Sequence, residues 1–89
     1  MMLMNYESFL SVTARQIGEL AGKSEELSQR MEGITPAQMK QATRLMRERK
    51  VTELHRQQLV DLMNNITPSK EILLSQDSII TMINAGIVL

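Results

Sequence analysis

The sequence predicts an all-α protein with a long amphipathic N-terminal helix, a helical hairpin and short C-terminal helices, completed as an oligomeric bundle. Three observations predict this fold class. Apolar residues recur every seven positions early in the chain, Ile-Thr-Pro occurs twice as a helix-start signal, and apolar residues make up 43% of the 89 positions. A chain of this length forms one helical domain, residues 1–89.

Size and composition predict how that domain is stabilised. So short a chain buries only about 60% of its unfolded surface, and such domains usually add disulfides, a structural metal or oligomerisation. The chain has no cysteine and one histidine, His55, which excludes disulfides and thiolate zinc sites. We therefore expect a homo-oligomer, with a dimer favoured and a two-fold dimer as its simplest form.

The seven-residue repeat lies in residues 1–33, which we predict to form one long helix. Asn5 is its expected N-cap and Gly33 its expected stop. The repeat is typical of the seam of a coiled coil or antiparallel bundle, so we expect it to contact a second copy or a partner helix. The predicted interface residues are Leu3, Tyr6, Leu10, Ile17, Leu20, Leu27 and Met31.

Two glycines, Gly18 and Gly22, interrupt this predicted helix. Each costs about 1 kcal/mol of helix stability relative to alanine. Their spacing leaves one face of the helix without side chains, where another helix could approach closely. In helices outside membranes, however, this spacing is more often accidental.

Residues 34–66 are predicted to form a helical hairpin with a basic outer face. Thr35-Pro36 followed by Gln38 predicts a capping box that starts the second helix at Pro36. We expect a break near residues 50–52, with Thr52 capping a third helix. The alternative is a single helix through this point, because no Gly or Pro enforces a stop.

Three methionines, Met39, Met46 and Met63, are assigned to the apolar sides of this predicted hairpin. The simpler interpretation is that they fill the core. The alternative is an adaptable groove that accepts a partner's helix, because methionine packs against irregular surfaces.

Residues 67–89 are predicted to form short C-terminal helices. Pro68 starts one that runs through residues 71–74, and Ser75 caps a second that ends at Gly86. The chain then ends on Ile87-Val88-Leu89. We expect these apolar residues either to pack into the core or to be covered by a partner.

The sequence offers little for chemistry. Nucleophilic catalysis needs a base beside the nucleophile, and the residues one helical turn from His55 include no strong metal ligand. Phosphate-binding loops, dinucleotide fingerprints and calcium loops are absent. We therefore expect no enzyme activity, no catalytic residues, no metal, no cofactor and no small-molecule substrate.

Charge is balanced overall but unevenly distributed. Residues 35–56 carry six basic and two acidic residues, whereas the segments on either side are net negative. Basic residues on one helix face can contact either phosphates or an acidic protein. The candidate contacts are Lys40, Arg44, Arg47, Lys50 and Arg56. No aromatic residue lies nearby to stack on a base, which favours the protein contact.

These observations predict a non-enzymatic protein–protein interaction module that acts through self-association and helix–helix contacts. Small adaptors, chaperone-like subunits and regulators belong to this class. The alternative is a small DNA- or RNA-binding regulator that uses the basic face of the second helix. The longest apolar-rich stretch is too short to span a bilayer and no secretory signal is evident, so we expect no membrane partner and a cytoplasmic location.

Overall fold

The computed structural model describes all residues from Met1 to Leu89. It is mostly helical, and two long antiparallel helices form a hairpin with a small sheet and a third helix at one end. The elements are β1 (Met2–Asn5), α1 (Tyr6–Glu32), a short 3-10 helix (Pro36–Gln38), α2 (Met39–Asn65), β2 (Glu71–Leu74) and α3 (Gln76–Asn84). The mostly helical character is as predicted, whereas the sheet is not. No helix has the length and apolar content needed to cross a lipid bilayer.

Helix α1 begins and ends at the predicted residues. The Asn5 side chain accepts a hydrogen bond from the Ser8 N–H at 3.1 Å, which satisfies one of the free donors of the first turn. At the other end the Gly33 N–H donates to the Arg30 carbonyl at 3.3 Å. The next segment starts at Pro36 as expected. There the Gln38 side chain accepts from the Thr35 N–H at 3.1 Å, while the Gln38 N–H donates to the Thr35 carbonyl.

Helix α2 is continuous from Met39 to Asn65, so the predicted break at residues 50–52 is wrong and the alternative is correct. Thr52 does not cap a third helix. Its hydroxyl donates to the Glu48 carbonyl one turn earlier, at 2.8 Å, as a residue inside a helix does. The hairpin is therefore formed by α1 and α2, which pack along each other, and not by two halves of residues 34–66.

The segment after Pro68 is a strand where a helix was predicted. Residues Glu71–Leu74 pair antiparallel with Met2–Asn5, in a register that places Leu73 opposite Leu3. Only six residues lie between Pro68 and the Ser75 cap, and so short a helix does not recover its nucleation cost. As a strand, the segment buries Ile72 and Leu74 on one face and exposes the alternate residues.

Helix α3 and the C-terminus close this end of the hairpin. The Ser75 hydroxyl accepts from the Ser78 N–H at 3.1 Å, which confirms the predicted cap. The chain turns after α3 through Gly86, whose φ of 96° is one that residues with a side chain rarely adopt. Ile87 then packs into the core, while Val88 is almost fully exposed.

The core lies at the end of the hairpin where α1 begins and α2 ends, which we call the base. Its buried cluster consists of Phe9, Leu20, Leu59, Ile72, Leu74, Met82, Ala85 and Ile87. The molecule measures 54 × 19 × 19 Å, and its radius of gyration of 15.9 Å exceeds the value of about 12 Å expected for a compact chain of this length. The opposite end, which we call the distal half, is thus only two helices wide.

Candidate protein-interaction surface

The buried side of α2 determines which of its residues are free to bind a partner. Leu45, Thr52 and Leu59 are buried and follow each other in steps of seven, the same repeat that α1 shows. The opposite side of the helix faces solvent. Met39 and Met46 lie there, more than half exposed, so the expectation that they fill the core is wrong for both, while Met63 is half-buried beside the core.

The outward face of α2 combines exposed apolar and basic side chains along residues 39–54. Four large apolar residues are each more than half exposed: Met39, Met46, Val51 and Leu54. Four exposed basic residues lie among them: Lys40, Arg44, Arg47 and Lys50. None of these four basic residues takes part in an ion pair. Beside Met46 the surface forms a shallow depression of about 350 Å³, bordered by Arg49, Lys50 and Glu53.

The acidic residues of this segment border the outward face. Glu48 lines the groove between α1 and α2, as do Arg47 and Val51 at the edge of the face. Glu53 lies beside Met46 and pairs with Arg56, with the Arg56 guanidinium 2.9 Å from Oε2 of Glu53. The outward face therefore carries an excess of positive charge, and Arg56, one of the predicted contacts, is engaged within the chain.

The pKa of the Glu53 carboxyl is lowered. Hydrogen bonding from the Ser24 hydroxyl of α1, and then from the Arg56 guanidinium, lowers this pKa from its ordinary value of 4.5. Desolvation acts in the opposite direction and is outweighed. Arg56 lies away from the outward face because it is one turn from both Thr52 and Leu59, which are buried.

The residues predicted as the α1 interface mostly pack inside the chain. Leu20 and Leu27 are buried, and Tyr6, Leu10, Ile17 and Met31 are half-buried. Leu3 lies in β1 and not in a helix, and its side chain is mostly exposed opposite Leu73. Because α2 packs along α1, this seam already has a partner within the chain. Contact of the same residues with a second copy stays a prediction.

A groove of about 710 Å³ runs between α1 and α2 and ends at the turn after α3. Leu20, Val51 and Ala85 are its only apolar lining residues, and His55 is one of the polar ones. Small-molecule sites are mostly apolar and enclosed, so this open polar groove does not resemble one. No group of three His, Asp or Glu side chains is placed to hold a metal ion.

The outward apolar residues of α2 are what the sequence reasoning missed. The seven-residue step that identified the α1 seam also runs through α2, as Leu45, Thr52, Leu59 and Ile66. Reading α2 as one helix with that step would have placed Met39 and Met46 outside. No known protein family, curated protein or solved structure matches the chain.

Proposed function

We propose that this protein is a non-enzymatic interaction module that binds an acidic amphipathic helix on the outward face of α2. The observation that carries the proposal is the exposure of four large apolar side chains among four unpaired basic ones on a single helix face. Apolar side chains supply the area buried on binding, and unpaired basic residues select an acidic partner. Adaptors, chaperone-like subunits and regulators act through surfaces of this kind.

The mixture of residue types favours a protein over a nucleic acid. Phosphate contacts are made by basic and polar groups, and single-stranded bases stack on aromatic side chains. Met46 and Leu54 lie exposed within this face, and the only aromatic residues, Tyr6 and Phe9, lie at the base. Contact with an apolar helix face would bury Met46 and Leu54, whereas a phosphate backbone would leave them exposed to water.

The test uses three fluorescent probes: an acidic amphipathic helical peptide, the same peptide with lysine at its acidic positions, and a random duplex DNA. We expect anisotropy titrations to show binding of the acidic peptide only. Arg44→Glu with Arg47→Glu should weaken that binding by about tenfold or more, because it reverses the charge at the centre of the contact.

A matched control carries the same change in net charge away from this face. Arg15→Glu with Lys70→Glu alters two exposed residues of α1 and of the segment before β2, and it should leave peptide affinity unchanged. If the acidic peptide fails to bind, the proposal is wrong. Binding of the DNA with an affinity that falls steeply with salt would instead assign the face to nucleic acid.

A further inference from the structure

The outward face of α1, on the side away from α2, has the opposite character to that of α2. Small residues share it with an acidic one: Ala14, Gly18, Ala21, Gly22 and Glu25. All five residues are exposed. Glu7 and Glu32 lie on the same side of the helix, near its two ends. One basic residue, Arg15, lies at the edge of this face, seven positions before Gly22.

The other two basic residues of α1 lie off this face. Lys23 lines the groove between α1 and α2. Arg30 pairs with Glu26 at 3.0 Å, one turn away. The outward face of α1 thus carries more acidic than basic side chains and is flat, whereas that of α2 is mainly basic and has protruding apolar side chains.

The glycines on this face are not required by packing within the chain. A Cβ atom built on Gly18 or on Gly22 would meet nothing within 4 Å, so neither glycine allows a close approach by another element of the chain. Each still costs about 1 kcal/mol of helix stability. Close approach of a helix from another molecule would account for both glycines, because without side chains there the partner's apolar groups can come nearer to the α1 backbone.

Charge and geometry together identify the partner. The two outward faces point away from each other, since each helix turns its opposite side toward the other helix of the hairpin. Contact between two α2 faces would place Lys and Arg side chains against each other. Contact between two α1 faces would place acidic side chains against each other. Contact of α2 with α1 of a second copy is the pairing of these faces that joins mainly opposite charges.

We infer that copies of this chain associate head to tail, with the outward face of α2 in one copy on the outward face of α1 in the next. This inference rests on the proposed function and specifies the acidic helix as α1. The contact is heterologous, since the two copies contribute different surfaces, and an open assembly keeps one α1 face free at one end and one α2 face free at the other. Such contacts build open chains or closed rings, in contrast to an isologous dimer.

Two variants that each block one face provide the test. Arg44→Glu with Arg47→Glu blocks the α2 face by charge. Gly18→Gln with Gly22→Gln blocks the α1 face by adding two neutral side chains, which the open space around both glycines accommodates in the single chain. Sedimentation velocity then measures the size distribution of each protein and of an equimolar mixture, at low salt where charge contacts are least screened.

We expect the unmodified protein to form larger species as its concentration rises, and each variant alone to stay monomeric. The mixture should form a one-to-one heterodimer, because one intact α1 face meets one intact α2 face and both remaining faces are blocked. The glutamine variant should also unfold at a higher temperature than the unmodified chain, since glutamine is the better helix former. Loss of association in a more stable protein cannot be attributed to misfolding.

Three results would overturn the inference: an unmodified protein that stays monomeric at all concentrations, a variant that associates as the unmodified protein does, or a mixture that remains monomeric. If both variants still form a closed dimer, the interface between copies lies outside these two faces. The peptide titration shows whether only the head-to-tail association fails or the proposed function fails as well. Binding of the acidic peptide without head-to-tail association would retain the α2 face and assign it to a different acidic protein.

Discussion

The two ends of the hairpin are formed by the same two helices, yet only the base has an enclosed core. At the base the small sheet, α3 and the C-terminal segment cover α1 and α2, and eight apolar residues are buried together. In the distal half Leu27 and Leu45 are the only buried apolar side chains. Burial of apolar area is the main stabilising term in folding. The base therefore holds the fold together, while the distal half leaves large apolar side chains such as Met39 and Met46 exposed.

The sharpest way to test this difference is to make the same substitution at both ends. Leu59→Ala should cost about 3–5 kcal/mol, because Leu59 is fully buried in the core cluster and its removal leaves an enclosed cavity. Leu45→Ala in the distal half should cost about 2 kcal/mol, at the low end for this substitution, because solvent and the neighbouring helix can fill the space. Urea unfolding followed by circular dichroism measures both, and equal losses would contradict the comparison.

A second matched pair compares the turns at the two ends. Gly86→Ala at the base should cost about 1–2 kcal/mol, because the φ of 96° disfavours a side chain. Its Cβ would also lie 2.7 Å from Nε2 of Gln16, which donates to the Ala85 carbonyl at 2.8 Å. Gly33→Ala at the distal turn should cost little, since its φ is −88° and the nearest atom would be at an ordinary 3.8 Å. Thermal unfolding of the two variants checks the prediction, and a larger loss at Gly33 would be inconsistent with it.

How far the sequence predicted the fold differs between the two ends. Capping signals are local, so the limits of α1, the start at Pro36 and the cap at Ser75 could be read directly from the residues. The strand Glu71–Leu74 could not, because it depends on pairing with Met2–Asn5 about 70 positions earlier in the chain. Four apolar-rich residues after a proline carry no signal that separates a strand from a short helix.

The candidate surface was predictable in part. The sequence located the basic residues Lys40, Arg44, Arg47 and Lys50 on one side of a helix, and the structure places all four exposed on α2. It assigned Met39 and Met46 to the opposite side because apolar residues were assumed to face inward. The buried side of α2 instead uses Thr52 and leaves both methionines outside. Which face of a weakly amphipathic helix is buried depends on the seam of its partner helix.

A third prediction concerns two buried threonines of the long helices. The Thr13 hydroxyl at the base is fully buried and has no hydrogen-bond partner, whereas the Thr52 hydroxyl donates to the Glu48 carbonyl at 2.8 Å. Thr13→Val should stabilise the protein by about 1 kcal/mol, because it removes an unsatisfied buried polar group with almost no change in volume. Thr52→Val should give no such gain. The midpoint of urea unfolding measures both changes, and a loss of stability in Thr13→Val would show that its hydroxyl has a partner.

The smallest expected effect concerns Glu53, which pairs with Arg56 within α2. Its lowered pKa means that the folded protein binds this proton less tightly than the unfolded chain. The resulting stabilisation is present above the ordinary pKa of 4.5 and is lost as pH falls through the lower value of the folded state.

Glu53→Gln should therefore reduce stability at pH 7 by less than about 1 kcal/mol, because the Glu53 side chain is 39% exposed and water screens its ion pair. The difference between the variant and the unmodified protein should shrink as pH is lowered below 4.5. Glu26→Gln provides the control, because its pair with Arg30 lies within α1 and both side chains are 62% exposed. It should have little effect on urea unfolding. A Glu53 effect that grows in acid would mean that the carboxylate does not stabilise the folded chain.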